Sequence, residues 1–187
     1  MNKPIRIVLF VVFAVSLIIN ILQFRRILAL EREIGERSAS GPLGAQTRVP
    51  AEFRARGLDG VETSIRFDST PLPTVLYVFR PSCPWCRRNK DSINALARQT
   101  AGRYRILGIS LSNEGLAKFA EEHHFPFPVY SDIPPSVAVA MKLGATPETI
   151  VVSPSSTVLR DWSGAYAGAQ KVLAENFFSV RLPELID

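Results

Sequence analysis

Residues 74–88 read TVLYVFRPSCPWCRR, an apolar run that leads directly into two cysteines three positions apart. The run Thr74–Phe79 is typical of a strand that is buried on both faces, because it offers no polar side to solvent. After Cys83 a helix is expected to about residue 100. One side of that helix collects Cys86, Asn89, Ile93, Leu96 and Ala97. The stretch therefore predicts a central strand, a short loop and a helix that begins at the cysteines.

Placement at a helix N-terminus gives the two cysteines different chemistry. The unpaired amides of the first turn and the positive end of the helix dipole favour a thiolate at Cys83, and a thiolate is the form that attacks a disulfide. Pro84 suits the first helical position, where a missing N–H costs no hydrogen bond. We expect Cys83 to form a mixed disulfide and Cys86, one turn further on, to resolve it. Positive charge nearby comes from Arg80, Arg87 and Arg88.

Two other interpretations of the cysteine pair stay open from the residues alone. The pair can be a static structural disulfide, or it can supply half of a zinc site. Zinc would need two more ligands, for which the sequence offers His123 and His124, its only histidines. Adjacent histidines at the end of a helix are usually surface or packing residues, so we predict no metal and no cofactor.

The N-terminal segment is expected to anchor the chain in a membrane. Residues 7–24 are almost wholly apolar, near the lower limit of about 17 to 25 residues for a spanning helix, and no small-residue cleavage site follows them. We expect a signal anchor over 1–26, a stalk and linker over 27–50, and one folded domain over 51–187. The arginines that follow this segment outnumber the positive charges that precede it, and by the positive-inside rule alone the domain would stay in the cytoplasm. A redox pair is most useful where disulfides persist, so we expect the domain outside the cytoplasmic membrane, facing the periplasm or cell exterior.

The rest of the chain alternates strand-like and helix-like segments, which indicates an α/β fold with helices on a sheet. The expected strands lie at 61–67, 74–79, 104–111, 127–130, 149–153 and 157–162. Further helices are expected at 116–123, 136–143 and 169–180, the last packing through Val172, Leu173, Asn176, Phe177 and Val180. Of the net charge of +5, residues 1–40 carry three units, six Lys or Arg against three Glu. The domain is therefore close to neutral, and no nucleic-acid partner is expected.

Three features resemble the thioredoxin superfamily over about residues 55–180: the strand leading into Cys83-Pro84-Trp85-Cys86, the segment Gly144-Ala145-Thr146-Pro147, and a hairpin followed by a terminal helix. Within that superfamily the chain is similar to the membrane-anchored periplasmic group of TlpA, ResA and cytochrome c maturation type. The resemblance implies a thioredoxin-like fold, a central mixed β-sheet flanked by helices, preceded by one N-terminal transmembrane helix. It also implies a cis bond from Thr146 to Pro147 beside the cysteines, where Thr146, Pro147 and Trp85 receive the substrate chain.

The chain departs from these relatives where they carry acids. Thioredoxins often have a buried acid six residues before the first cysteine, and the anchored group often has Glu three residues after the second. This chain has Tyr77 and Asn89 there, and Ser82 replaces a frequent Trp before the motif. The usual proton acceptor for Cys86 is therefore missing, and Glu148 is a candidate substitute.

Together these features predict a thiol-disulfide oxidoreductase that acts on protein thiols and disulfides, as a reductase rather than an oxidase, with a membrane or periplasmic redox partner. A peroxiredoxin-like peroxidase is a second hypothesis. It is disfavoured because Arg80 stands where the Pro-x-x-x-Thr/Ser-x-x-Cys motif of peroxiredoxins has its hydroxyl. The third hypothesis is a non-catalytic thioredoxin-like binding module in which the cysteines form a structural disulfide.

Overall fold

The computed structural model describes residues 43–185 together with Ser16 and Gln23. Within this part of the chain, a seven-stranded mixed sheet forms the centre of an α/β fold. The strands are β1 (Glu52–Gly57), β2 (Glu62–Arg66), β3 (Thr74–Phe79), β4 (Arg105–Ser110), β5 (Val129–Ser131), β6 (Glu148–Val152) and β7 (Val158–Ser163). The helices are α1 (Pro84–Arg88), α2 (Lys90–Gln99), α3 (Leu116–His123), α4 (Pro135–Ala140) and α5 (Gly168–Phe178).

The strand order of the sheet is β2-β1-β5-β4-β3-β6-β7. Strands β3, β4 and β5 are parallel, and the other neighbouring pairs are antiparallel. Because β3 lies between β4 and β6 and is covered on both faces, all six of its residues are buried. Val78, near the carboxyl end of β3, pairs with Glu148 at the start of β6. The cysteine loop and the loop before β6 therefore meet at the same edge of the sheet.

Alternate residues of β3 serve two separate hydrophobic cores. Tyr77 and Cys86 belong to the core on one face, which α2, α3 and α5 cover. Leu76 and Val78 belong to the core on the other face, which α4 covers. Side chains of a strand alternate between the faces of a sheet, and residues that pair across neighbouring strands lie on the same face. The register therefore shows to which core each residue of the neighbouring strands belongs.

The predicted strands are confirmed within two residues at each end, and β3 is confirmed residue for residue. Strand β1 was not predicted. Only Phe53 and Ala55 are buried in it, between charged residues, so its apolar content is too low to stand out. Helix α4 ends at Ala140, before the predicted stop at Gly144, and Lys142 adopts a positive φ of 49°.

The helix predicted after Cys83 is in fact two helices that meet at Asn89. Asn89 ends α1 with φ −80° and ψ −1°, and α2 begins at the next residue. The Asn89 side chain is buried and accepts a hydrogen bond from the amide of Tyr166 at 2.9 Å. The predicted inner side of this segment is confirmed, since Cys86, Ile93 and Leu96 are buried.

Residues 43–50 pack against the sheet, so their assignment to the linker is wrong. Leu43 and Val49 are buried in the core that α4 covers. The amide of Gln46 donates to the carbonyl of Val158 at 2.9 Å, and the amide of Val158 donates to the carbonyl of Thr47 at 2.8 Å. Two well-spaced apolar side chains and backbone pairing to β7 hold this segment in place despite its Gly-containing composition.

The packing face predicted for the last helix is right at Phe177 and Val180, which lie in or against the core, and wrong at Val172, Leu173 and Asn176, which are exposed. Val172 and Leu173 of α5 are more than half exposed, whereas Ala174 and Phe178 are buried. The Phe178 ring meets the edge of Tyr104 with ring centroids 5.1 Å apart. Because residues four apart share a helix face, the burial of Phe178 turns Ala174 inward and leaves Val172 and Leu173 outside.

The predicted signal anchor over 1–26 lies outside the described residues, except at Ser16 and Gln23, and so does most of the predicted stalk. Across the part of the chain that the structure describes, no helix has the length and apolar content needed to span a membrane.

Candidate active site

Cys83 caps the N-terminus of α1, as the sequence predicted. Its backbone is extended, with φ −79° and ψ 116°, and Pro84 takes the first helical position. The Cys83 Sγ accepts a hydrogen bond from the amide of Cys86 at 3.2 Å. Both cysteines are free thiols, and Cys83 is half-buried. The backbone thus places one sulfur where helix amides stabilise negative charge.

Cys86 is shielded, with 1% of its surface exposed. Burial raises the pKa of the Cys86 thiol far above its ordinary value, and the hydrogen bond with the Cys83 sulfur raises this pKa further. Cys86 therefore stays protonated at neutral pH in the dithiol form. The two thiols are chemically unequal, one at the surface on a helix cap and the other inside the core.

The loop before β6 closes over Cys83. The Thr146–Pro147 peptide bond is cis, which confirms the expectation from sequence. The Cys83 thiol donates to the carbonyl of Thr146, with 3.3 Å between Sγ and the oxygen. A second link joins the same two loops, since Nη1 of Arg80 donates to the carbonyl of Gly144 at 3.0 Å. The structure therefore brings Thr146 and Pro147 to Cys83, and their part in substrate binding stays a prediction.

Trp85 lies on the outer side of α1. Its side chain is 53% exposed, and the guanidinium carbon of Arg88 lies 5.1 Å from the centroid of its ring. A large exposed ring between the two cysteines is an apolar surface that an incoming polypeptide would meet. Its predicted role in substrate binding rests on this exposure and on its place in the motif.

The groups on the inner side of Cys86 are polar and neutral. Tyr77 and Asn89 are fully buried, and among the described residues the Tyr77 hydroxyl and the Asn89 amide nitrogen have no hydrogen-bond partner. Burial raises the pKa of Tyr77 well above its ordinary value, and the nearby Cys86 raises it further. Tyr77 therefore keeps its proton, and neither position supplies a base for Cys86. Sequence reasoning missed Tyr166, whose amide holds Asn89.

Glu148 does not lie on the side of Cys86, contrary to its suggested role as proton acceptor. It pairs with Val78, which faces the core opposite to that of Cys86. On β7, the Ser163 hydroxyl donates to the Glu148 carboxyl at 3.5 Å, and Asp161 is near enough to interact with it electrostatically. Burial first and Asp161 second raise the pKa of Glu148 to about 8, and burial raises that of Asp161 to about 6. Sequence reasoning missed this carboxyl pair, which follows only from the register of the β6–β7 hairpin.

The two histidines, which were the candidate zinc ligands, differ in their burial. His123 is buried, with its ring stacked on that of Phe119 at a centroid distance of 3.7 Å, whereas His124 is exposed. Burial lowers the pKa of His123. Among the described residues, no group of three or more His, Cys, Asp or Glu side chains could hold a metal ion.

A family model described as the AhpC/TSA family matches residues 48–160. No curated protein sequence matches the chain. Among solved structures, StoA from Bacillus subtilis is 16% identical with a TM-score of 0.55, over 68% of this chain and 97% of that one. A putative thiol:disulfide interchange protein DsbE from Chlorobium tepidum is 17% identical with a TM-score of 0.62, over 73% and 97%. The structure of MTB dsbF, in mixed oxidized and reduced forms, is 22% identical with a TM-score of 0.56, over 70% and 98%. These similarities establish the thioredoxin-like fold.

Proposed function

The chain belongs to the AhpC/TSA family, and from its thioredoxin-like domain we propose that it is a thiol-disulfide oxidoreductase acting on disulfides in proteins. One observation carries the proposal above all: the half-buried Cys83 sulfur caps α1, accepts the Cys86 amide and touches the Thr146 carbonyl of the cis-proline loop. This arrangement supplies a nucleophile, a second thiol one turn away and a backbone edge for a substrate chain.

The reaction runs in two exchange steps. The Cys83 thiolate attacks one sulfur of a substrate disulfide, a bond forms between Cys83 and that sulfur, and the other substrate sulfur leaves as a thiolate. Cys86 then attacks the Cys83 sulfur, and the second substrate sulfur leaves as a thiol. Tyr77 and Asn89, the polar side chains on the inner side of Cys86, are neutral, so the departing substrate thiolate is the base that takes the Cys86 proton. Two electrons pass from the protein dithiol to the substrate disulfide, and a Cys83–Cys86 disulfide remains.

We propose the reductase direction for this chemistry. Stabilised thiolates make a dithiol couple oxidising, because they stabilise its reduced form. The helix cap at Cys83 acts in this oxidising sense. Burial of Cys86, whose raised pKa disfavours its thiolate, acts in the opposite sense and is the support for the reductase direction. The partners of the proposed reductase are therefore exported proteins that carry disulfides, and a membrane or periplasmic donor that restores the dithiol.

The family match keeps a peroxidase as the second candidate function. Arg80 stands three residues before Cys83, where a peroxidase of the peroxiredoxin type carries a hydroxyl, and its guanidinium is bound to the Gly144 carbonyl. A direct comparison separates the two functions: the reduced full-length protein is mixed with a peptide disulfide or with hydrogen peroxide, and loss of protein thiols is followed. We expect rapid oxidation by the disulfide and only background oxidation by the peroxide. Faster oxidation by peroxide, or no reaction with either, would reject the oxidoreductase proposal.

We also propose that the apolar segment over residues 7–24 anchors the chain in the cytoplasmic membrane with the domain outside. The support is the hydropathy of that segment and the chemistry of the cysteine pair, which serves a compartment where disulfides persist. Fusions of reporters to Pro50 and Asp187 test it. Activity of a reporter that works only outside the cytoplasm is expected at both points, and activity of a cytoplasmic reporter at both would contradict it.

A further inference from the structure

A groove of about 450 Å³ lies beside the cysteine loop, at the carboxyl ends of β3, β4 and β5. The carboxyl ends of parallel strands are the usual place for ligands in α/β sheets. Five of the ten lining side chains are apolar: Leu111, Ile133, Pro135, Ala138 and Leu143. Arg80 closes the end of the groove that adjoins the active site. The groove thus has the shape and lining to hold part of a polypeptide, and its lining includes the guanidinium of Arg80.

The charge in this groove favours a carboxylate. Asp132, the one acid of the lining, is already engaged by the Nε of Arg56 at 2.9 Å and by the side-chain amide of Asn113. Arg80 has five N–H donors. Within residues 43–185, its side chain makes one hydrogen bond, to the carbonyl of Gly144. The remaining donors form a fork that fits a carboxylate.

The distance from this fork to the reacting sulfur can be read from the cis-proline loop. Arg80 contacts the carbonyl of Gly144, and Cys83 contacts the carbonyl of Thr146, two residues further along. Two residues of fully extended chain span roughly 7 Å, and because the chain bends at residues 145–147, this value is an upper limit. A substrate strand lying along this loop with its cysteine at Cys83 would therefore bring a residue two positions from that cysteine to Arg80.

The geometry points to a specificity subsite in which Arg80 binds a glutamate or aspartate two residues from the reactive cysteine of the substrate protein. The subsite rests on the proposed disulfide exchange for its purpose, and Arg80 acts in it as a binding residue. It selects among substrate proteins by the sequence around their cysteines. The apolar walls of the groove hold the segment on the far side of that acid.

Binding of inert peptides to the full-length protein tests the subsite without any reaction. The probes are short blocked peptides with serine in place of cysteine and with glutamate or glutamine two residues before or after it, titrated by NMR. For one of the two placements, the glutamate peptide should bind about fivefold more tightly than its glutamine twin. Arg80→Met should remove this preference. Arg80→Lys should keep only part of it, because an ammonium retains the charge but lacks the fork.

A matched control is Arg103→Met, which removes an exposed arginine near the start of β4, at the opposite edge of the sheet, and should leave the preference unchanged. Equal binding of the glutamate and glutamine peptides in both placements, or a preference that survives Arg80→Met, would overturn the subsite. Disulfide-linked dimers of the matching cysteine peptides are then used as substrates, and they separate the subsite from the oxidoreductase function. If both dimers are reduced and the glutamate and glutamine versions have equal half-saturating concentrations, the subsite is refuted and the oxidoreductase function stands. A glutamate preference in binding without any reduction upholds the subsite and refutes the oxidoreductase function.

Discussion

Glu148 and Asp161 are two carboxyl groups that the fold buries beside each other on β6 and β7. The pKa of Glu148 is raised to about 8 by burial and by Asp161, and the pKa of Asp161 is raised to about 6 by burial. Both values lie above the ordinary carboxyl range, so between about pH 4 and 8 the native state holds protons that the unfolded chain has released. The stability from this protonated pair is complete below the unfolded values and is lost as the pH rises through about 8.

We therefore expect Glu148→Gln to flatten the fall in unfolding free energy between pH 6 and 8. The wild-type slope from one such group is at most about 1.4 kcal/mol per pH unit. Glutamine keeps the volume of glutamate without its ionisation. Urea denaturation at several pH values measures the slope, and Glu121→Gln, which alters an exposed carboxyl of α3, is the control. The same slope in wild type and Glu148→Gln would show that the pair does not couple stability to pH.

Elements that are defined by the apolar residues of their own sequence were predictable, and elements that depend on a contact with a distant part of the chain were not. Strand β3 is apolar throughout, and its bounds follow from composition alone. The buried Asn89 at the junction of α1 and α2 binds the amide of Tyr166, which lies far along the chain, so its role there was not predictable. The inner face of α5 depends on the aromatic contact of Phe178 with Tyr104, which the sequence pattern within α5 does not contain.

In the candidate site, too, the local features were predictable and the features that depend on distant parts of the chain were not. The cap at Cys83 is a local property of strand, proline and helix, and the cis bond before Pro147 came from the family resemblance. The Arg80 groove was not predictable, because its walls come from the loops after β4 and β5 and from the segment after α4. The carboxyl pair on β6 and β7 was not predictable either. It depends on the hairpin register, which pairs Glu148 with Ser163 and Ile150 with Asp161 and so makes the two acids diagonal neighbours on one face.

For the whole molecule, the strand order explains why the chemistry lies at one edge. The carboxyl end of β3 and the start of β6 are neighbours, so Cys83 and Thr146 meet although 63 positions separate them. The same edge carries the groove beside Arg80. A substrate that reaches the sulfur therefore also reaches the cis-proline loop and the groove. The anchor over residues 1–26 remains a prediction.

In the proposed mechanism Cys83 attacks the substrate and Cys86 resolves the mixed disulfide, and trapping of that mixed disulfide tests both roles. Full-length Cys86→Ser and Cys83→Ser variants are each mixed with an unfolded protein that contains disulfides, and covalent adducts are identified by mass spectrometry under non-reducing conditions. Cys86→Ser should accumulate an adduct through Cys83 that added reductant releases, because it lacks the resolving thiol. Cys83→Ser should form almost none, since Cys86 is buried and its raised pKa keeps it protonated. Equal adducts from both variants, or none from either, would contradict the assignment.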